Sequence, residues 1–426
     1  MTIHDGPPGE ASDKCSVGAN RALAELGLDL LGASQAQATA LVPEIDENNL
    51  PDALPDQGIG AEAALRLLSG SVLAGAARLS HPGYFAHMDP PTEAVTWIAA
   101  MWQAATNQNQ LHPDVGPQTR ALERRLIEWL SPYFGMSGGH LVPGSTVANL
   151  TALWAAREAR GIKRVAASTQ SHLSVRKASD LLGLEYLPMP VDARHRLQLD
   201  RHPLPPDTAL VATAGTVATG AVDAFERHGA AWLHVDAAWG GPLRLSDRYA
   251  AQLEGIASAD SVGFSAHKWC FQPKGSAVLL FKDNAEAEAP LTYGGGYLAV
   301  PNVGLLGSAP ASALPFVASL LAWGRGGLSA RIDHTMAQGQ VLSEAVASDP
   351  ALELWGKPET GVVVWRSRAH AAEAIRPLLT DAWMSLTRLD GATWFRCVPA
   401  NPAVSGEHVY DAVLDALKHL DRRSGQ

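Results

Sequence analysis

The sequence predicts an α/β fold, a mainly parallel sheet covered by helices on both faces, followed by a smaller α/β tail. Two patterns carry this. From about residue 140, short apolar runs alternate with segments of helical spacing. The runs are apolar along their whole length, as strands buried on both faces require. Strands are expected at 164–168, 185–187, 210–213, 232–236, 261–265 and 277–281, with helices at 146–160, 173–182 and 250–257. Beyond residue 360 the alternation repeats on a smaller scale, with a strand at 361–365, a helix at 371–379, a strand at 392–398 and a helix at 406–420. Ahead of the sheet, 21–32, 60–79, 93–105 and 117–133 have helical spacing, the first two separated by a Pro- and acid-rich stretch. Residues 1–20 are rich in Gly, Pro and Ser and are expected to fray. The expected division is a helical segment 1–80, a large domain 81–310 and a small C-terminal α/β domain 311–426.

Composition narrows the function. With 46% hydrophobic and 18% charged residues in 426, the chain can bury a large core and does not read as disordered. A net charge of −10 argues against nucleic acid or an anionic membrane surface as a partner, because both need clustered cations. The three cysteines, Cys15, Cys270 and Cys397, are widely spaced and odd in number. They read as free thiols of a cytoplasmic protein, with neither a disulfide frame nor a metal site. The N-terminus lacks a basic-then-apolar signal pattern, and no apolar run reaches the roughly 18 residues of a membrane span.

The segment 231–268 carries the chemistry. One apolar strand delivers Asp236 at its end, and a second delivers Ser265, His267 and Lys268. Either residue alone reads as a cap or a solvated side chain. Together they form the set that pyridoxal phosphate requires, a lysine to hold the cofactor covalently and a carboxylate to keep its ring nitrogen protonated. Small residues after the acid leave room for a flat ring. Gly144-Ser145-Thr146 opens a helix, where hydroxyls and free amides can cradle a phosphate, although an ordinary Ser/Thr cap explains the triplet as well.

Collinear segments extend the pattern: HPGYFAHM at 81–88, NQNQLHPDVGPQTRALE at 107–123, GSTVANL at 144–150, STQSHLSVRKA at 168–178 and TAGTVATGAVD at 213–223. HVDAAWGG, SAHKW and LDGATWFRCVPANP at 389–402 follow. In these segments the chain resembles the pyridoxal-phosphate-dependent group II amino acid decarboxylases, over about residues 81–402. The resemblance implies fold type I, that of aspartate aminotransferase, with a seven-stranded type of sheet in the large cofactor-binding domain. It implies a homodimer with sites at the subunit interface and N-terminal helices that wrap the partner.

It also implies roles. Gly144, Ser145 and Thr146 hold the phosphate, with Ser265 and His267. His172 stacks on the ring and helps orient the substrate, Ala238 packs on the other ring face, and Thr213 and Thr216 lie near its edge, although plain strand-end packing explains the two threonines equally well. His81, Tyr84 and Phe85 line the substrate pocket, although an aromatic plug under a loop explains Phe85 equally well. Tyr297, in a Gly-rich segment, is the candidate for returning a proton. Two departures stand out. Val142-Pro143 replaces the Thr-Ser that many relatives carry before this Gly, and Ala309-Pro310 follows Ser308 where many relatives have arginine. Arg325 and Arg396 are the candidate replacements.

The reading is decarboxylation of a small-molecule L-amino acid to its amine and carbon dioxide. An aminotransferase, an aldehyde synthase or a carbon–carbon lyase would need the same acid, lysine and phosphate groups. A cofactor-binding scaffold without turnover is a reading of another class, and the presence of both Lys268 and Asp236 argues against it.

Overall fold

The computed structural model describes residues 17–37, 41–43, 50–199, 204–296 and 298–424. The expectation of fraying at 1–20 falls, for residues 1–16, outside the described residues, as does Cys15; residues from 17 are helical. The chain divides into two compact units, Met1–His81 and Pro82–Gln426. The first holds α1 (Val17–Gln37) and α2 (Ala61–Leu68), which runs into one π turn at Ser69–Leu73. The helix expected to reach 79 stops there for a local reason. In Ser69-Gly70-Ser71 the glycine loses the most backbone entropy in a helix, and the two hydroxyls bond back to the carbonyls of Arg66 and Leu68 at 2.8 and 3.4 Å.

The second unit opens with α3 (Ala94–Thr106) and α4 (Thr119–Phe134). The alternating part follows as β1 (Gly138–Val142), α5 (Ser145–Arg160), β2 (Arg164–Ser168), α6 (Leu173–Leu182), β3 (Glu185–Met189), β4 (Thr208–Thr213), β5 (Trp232–Asp236), β6 (Ser261–Phe264) and β7 (Ala277–Phe281). These strands form one seven-stranded sheet in the order β1-β7-β6-β5-β4-β2-β3. Pairing is parallel from β6 through β5, β4 and β2 to β3, while β7 runs antiparallel to both its neighbours. β4, β5, β6 and β7 are buried at every position, as a sheet covered on both faces demands. The helix expected at 250–257 is instead two 3₁₀ turns, Ala250–Leu253 and Ile256–Ser258, split by Gly255 at φ +85°.

After α7 (Asn284–Glu288) come the short strands β8 (Thr292–Tyr293) and β9 (Asn302–Val303) and the long α8 (Ala313–Ser348). α8 leaves helical geometry at Gly324, with φ 63° and ψ 178°. The tail is β10 (Leu352–Leu354), β11 (Val363–Ser367), α9 (Ala372–Ile375), β12 (Ser385–Leu389), β13 (Ala392–Cys397) and α10 (Gly406–Ser424). Its sheet is antiparallel in the order β10-β11-β13-β12. One core lies on the Phe264 and Trp269 side of the large sheet, one under α5 and α6, and a third inside the tail. Among the described residues no helix is long and apolar enough to cross a membrane.

Candidate active site

In a parallel sheet the carboxyl ends of the strands, with the helix N-termini above them, make the ligand crevice. Here β4 ends at Thr213, β5 at Asp236 and β6 just before Ser265, while α5 starts at Ser145. A cavity of about 320 Å³ lies at this junction. Its wall contains Gly144, Ser145 and Thr146 on one side, His172 and Thr213 on another, and Asp236, Ala238, Ser265, His267 and Lys268. A larger cleft of about 610 Å³ lies along β1 and α4 and contains neither Asp236 nor Lys268. The acid and the lysine both line the smaller cavity.

Asp236 is 2% exposed, and both its oxygens are engaged. Oδ2 accepts from Asn149 Nδ2 at 2.8 Å and Oδ1 from the Ala238 amide at 3.1 Å. Lys268 is held low in pKa, first by burial and then by the nearby cations Lys274 and Arg396, against the opposing pull of Asp236 and Asp89. A larger share of its side chain is therefore the neutral amine that covalent attachment requires.

His172 caps α6. Its Nδ1 accepts from the Ser174 amide at 3.2 Å and shares a 2.7 Å bond with Ser174 Oγ. Accepting at Nδ1 puts the ring proton on Nε2. Burial lowers its pKa, so the neutral ring is favoured. His267 Nδ1 accepts from the Ser276 amide at 3.3 Å, and burial pushes its pKa down to about 4. It too is neutral near pH 7, with Nε2 as a donor.

At the other end, Gly144 takes φ +128°, which a side chain rarely adopts. No side chain caps the α5 N-terminus. Ser145 and Ser265 share a hydroxyl–hydroxyl bond of 2.6 Å. Thr213 Oγ1 is buried at the cavity wall without a partner. Uncommitted first-turn amides, paired hydroxyls and a neutral imidazole donor suit a phosphate group, and the unpaired Thr213 hydroxyl suits a polar ring substituent. The residues present fit pyridoxal phosphate.

Other candidates lie elsewhere. Thr216 is fully buried in a turn, bonded to Thr219 Oγ1 at 2.9 Å and to the Ala221 amide at 3.1 Å, and does not reach the cavity wall. Phe85 is fully enclosed in the tail core, its backbone joined to Trp383 and Val398, as an aromatic plug would be. Tyr84 is 6% exposed and bridges to Trp383, whereas Met88 of the same segment does line the cavity. His81 closes the first unit. Tyr297 lies outside the described residues. Arg325 pairs with Asp247 and the Leu245 carbonyl, away from the cavity. Arg396 donates to the carbonyl of the cavity residue Val217 at 2.9 Å, to Ala86 O at 3.3 Å and to Ser385 Oγ at 3.1 Å. These bonds use three of its five donors.

Sequence reasoning missed Asn149 and His234. The signal was spacing. Asn149 is four residues after Ser145 on one helix face, and His234 is two before Asp236 on one strand face.

The family pattern described as the pyridoxal-dependent decarboxylase conserved domain matches residues 43–368. L-2,4-diaminobutyrate decarboxylase of Rhizobium meliloti (strain 1021) is 31% identical over 424 residues, covering 87% of this chain and 84% of that protein. The protein of the same name from Acinetobacter baumannii is 27% identical, covering 86% and 85%. The solved structure of Oryza sativa TDC with PLP and tryptamine superposes with a TM-score of 0.86 at 20% identity, over 98% of this chain and all (100%) of that one.

Proposed function

The chain belongs to the pyridoxal-dependent decarboxylase family, and from that premise we propose how its cavity divides the work. The protein is a pyridoxal-phosphate-dependent amino acid decarboxylase. The observation that carries the assignment of roles is that Lys268, Asp236 and the Gly144 helix start face one cavity. When bound, pyridoxal phosphate supplies an electron-accepting ring that takes up the electron pair left when the carboxylate departs as carbon dioxide. Lys268 holds the cofactor and Asp236 holds the proton on its ring nitrogen. Gly144, Ser145, Thr146, Ser265 and His267 would hold the phosphate, Thr213 would offer its hydroxyl to a polar ring substituent, and the small Ala238 side chain would leave room for a flat ring. His172 Nε2–H is the donor that orients the substrate. Arg396, with two uncommitted donors beside Val217, receives the substrate carboxylate until it leaves. Tyr297, which follows Gly294-Gly295-Gly296 in sequence, is assigned as the residue that returns a proton.

Two relatives named for L-2,4-diaminobutyrate support that diamino acid as the first substrate to try. The Asp89 carboxylate pairs with Lys274 through Oδ1 and also acts electrostatically on Lys268 and Arg396; its second oxygen is the acceptor offered to a second ammonium group. We further assign a cytoplasmic homodimer with sites at the subunit interface. The α3 face with Trp97, Met101 and Trp102 exposed at 38, 43 and 56% supports the dimer, and the buried free thiols Cys270 and Cys397 support a reducing compartment. The test is the holoprotein with a panel of L-amino acids, scoring carbon dioxide, ammonia and peroxide separately, and borohydride labelling. Carbon dioxide release from L-2,4-diaminobutyrate and a label on Lys268 are expected. A label on Lys274 or Lys282, or ammonia without carbon dioxide, overturns the assignment.

A further inference from the structure

We propose that Asn149 is a positioning residue that ties Asp236 to His172 through one side-chain amide. The proposal rests on the roles given above to those two residues. Asn149 is fully buried on α5, and every polar group of its side chain is used. Nδ2 donates to Asp236 Oδ2 at 2.8 Å and to Ser174 Oγ at 2.9 Å, while Oδ1 accepts from His234 Nε2 at 3.0 Å.

These bonds fix direction along the whole chain of groups. Ser174 Oγ receives a proton from Asn149, so its own hydroxyl proton goes to His172 Nδ1. That bond, with the Ser174 amide, holds the His172 proton on Nε2. On the other side, His234 donates from Nε2, so its Nδ1 accepts from Ser261 Oγ at 2.8 Å. Ser261 in turn accepts from Trp232 Nε1 at 2.9 Å. Flipping the Asn149 amide would set its oxygen against the Asp236 carboxylate and its NH₂ against His234 N–H. His234 is fully buried, and burial pushes its pKa down to about 4, so it stays neutral and adds no charge behind Asp236. The packing leaves room for this arrangement. A Cβ at Gly263 would stand 3.0 Å from the Ala148 methyl and 3.6 Å from His234 Cε1.

The consequence is that one residue sets both the orientation of the acid and the tautomer of the stacking imidazole. A packing role alone would not care whether position 149 donates or accepts. Asn149→Asp tests this, since it keeps shape and the acceptor for His234 but donates to Asp236 only when protonated. The titratable groups facing that position are Asp236 and His234 from β5, His172 ahead of α6 and Lys268 after β6.

The experiment uses the full chain and measures pyridoxal phosphate affinity of the cofactor-stripped protein by dialysis, and kcat, across pH 5.5–8.5. Circular dichroism checks the fold of each variant. Above pH 7, Asn149→Asp should lose about 10- to 100-fold in both, the range of a hydrogen bond to a charged group, and should recover as the pH falls. Asn149→Ala should lose a similar amount with no such recovery. Ser174→Ala should lower kcat roughly fivefold, about one neutral hydrogen bond, with affinity within about twofold. Equal pH-independent losses in the two position-149 variants, or losses under about twofold in either, overturn the proposal. If neither folds, an unchanged kcat in Ser174→Ala overturns it. Asp236→Asn run alongside separates the two levels: a fully active Asp236→Asn removes the reading of Asp236 itself, whereas an inactive one with an indifferent Asn149→Asp removes only this inference.

Discussion

Asp236 and its surroundings are closed before any ligand arrives: the carboxylate holds two hydrogen bonds, and the groups behind it pair with one another back to Trp232. At the Gly144 end of the same 320 Å³ cavity, the helix start has no side-chain cap. The difference follows from what each end must meet. A ring nitrogen needs one charge at a fixed angle, and a preorganised partner costs no rearrangement when charge develops. A phosphate brings its own strong acceptors, and uncommitted amides serve it best. Changes at the closed end should therefore always cost rate, with or without affinity, whereas changes at the open end should cost affinity alone.

Asp236→Asn attacks the closed end hardest. An amide cannot hold the ring proton, and kcat should fall by about 10³-fold, the upper part of the range for removing one preorganised electrostatic partner. Some cofactor should remain bound. Near-normal turnover with cofactor saturating would break the comparison. His172→Ala should come next, with kcat down by about 10²-fold, as for a positioned acid–base group, and cofactor retained. Cofactor-free protein after gel filtration would show that His172 is structural.

Ser145→Ala sharpens the open end. Affinity for pyridoxal phosphate should weaken about fivefold, the worth of one hydrogen bond, with kcat at saturating cofactor unchanged. A fall in kcat without a fall in affinity would reverse the roles of the two ends.

The smallest effect is on stability. His234 is held at about pKa 4 when folded and titrates near 6.5 when unfolded. Between these values the unfolded chain binds more protons, so stability falls as pH drops from about 6.5 toward 4. His267 acts in the same direction. Asp223, raised to about 6 by burial, acts oppositely, its contribution growing as pH falls. His234→Gln isolates one member: thermal unfolding at pH 7 and pH 5 should lose less on acidification than in the wild type, by about 2 kcal/mol. An identical acid loss in both proteins would mean His234 is not kept neutral by its surroundings.

Much of this was legible from residue order. Strands β2 and β4–β7 are apolar runs whose period needs no tertiary knowledge. Asp236 and Lys268 stand at or just past the ends of such runs, where a parallel sheet collects its ligands. β1 was not legible, because Gly138-Gly139-His140 offers no apolar pattern and pairs only with the distant β7. α8 was hidden by Gly324, Gly326 and Gly327, which read as a break and do mark one. Asn149 and His234 went unnoticed because their partner groups meet only when α5 lies on the sheet. Thr216 was misleading for the opposite reason: beside Thr213 in sequence, it is turned inward by a tight turn closed at Ala221.

The path of α8 has a consequence for how the molecule comes apart. Phe316, Leu328, Ile332 and Met336 pack into the core of the large sheet, while Leu342 and Val346, on the same helix, pack into the tail core. Phe85, far upstream in sequence, also sits in that tail core. The tail thus shares its interior with segments from both sides of the large sheet. Opening it as a separate foldon would expose side chains at the far end of a continuous helix, so amide exchange in β11 and β13 should report the same cooperative opening as exchange in β5 and β6.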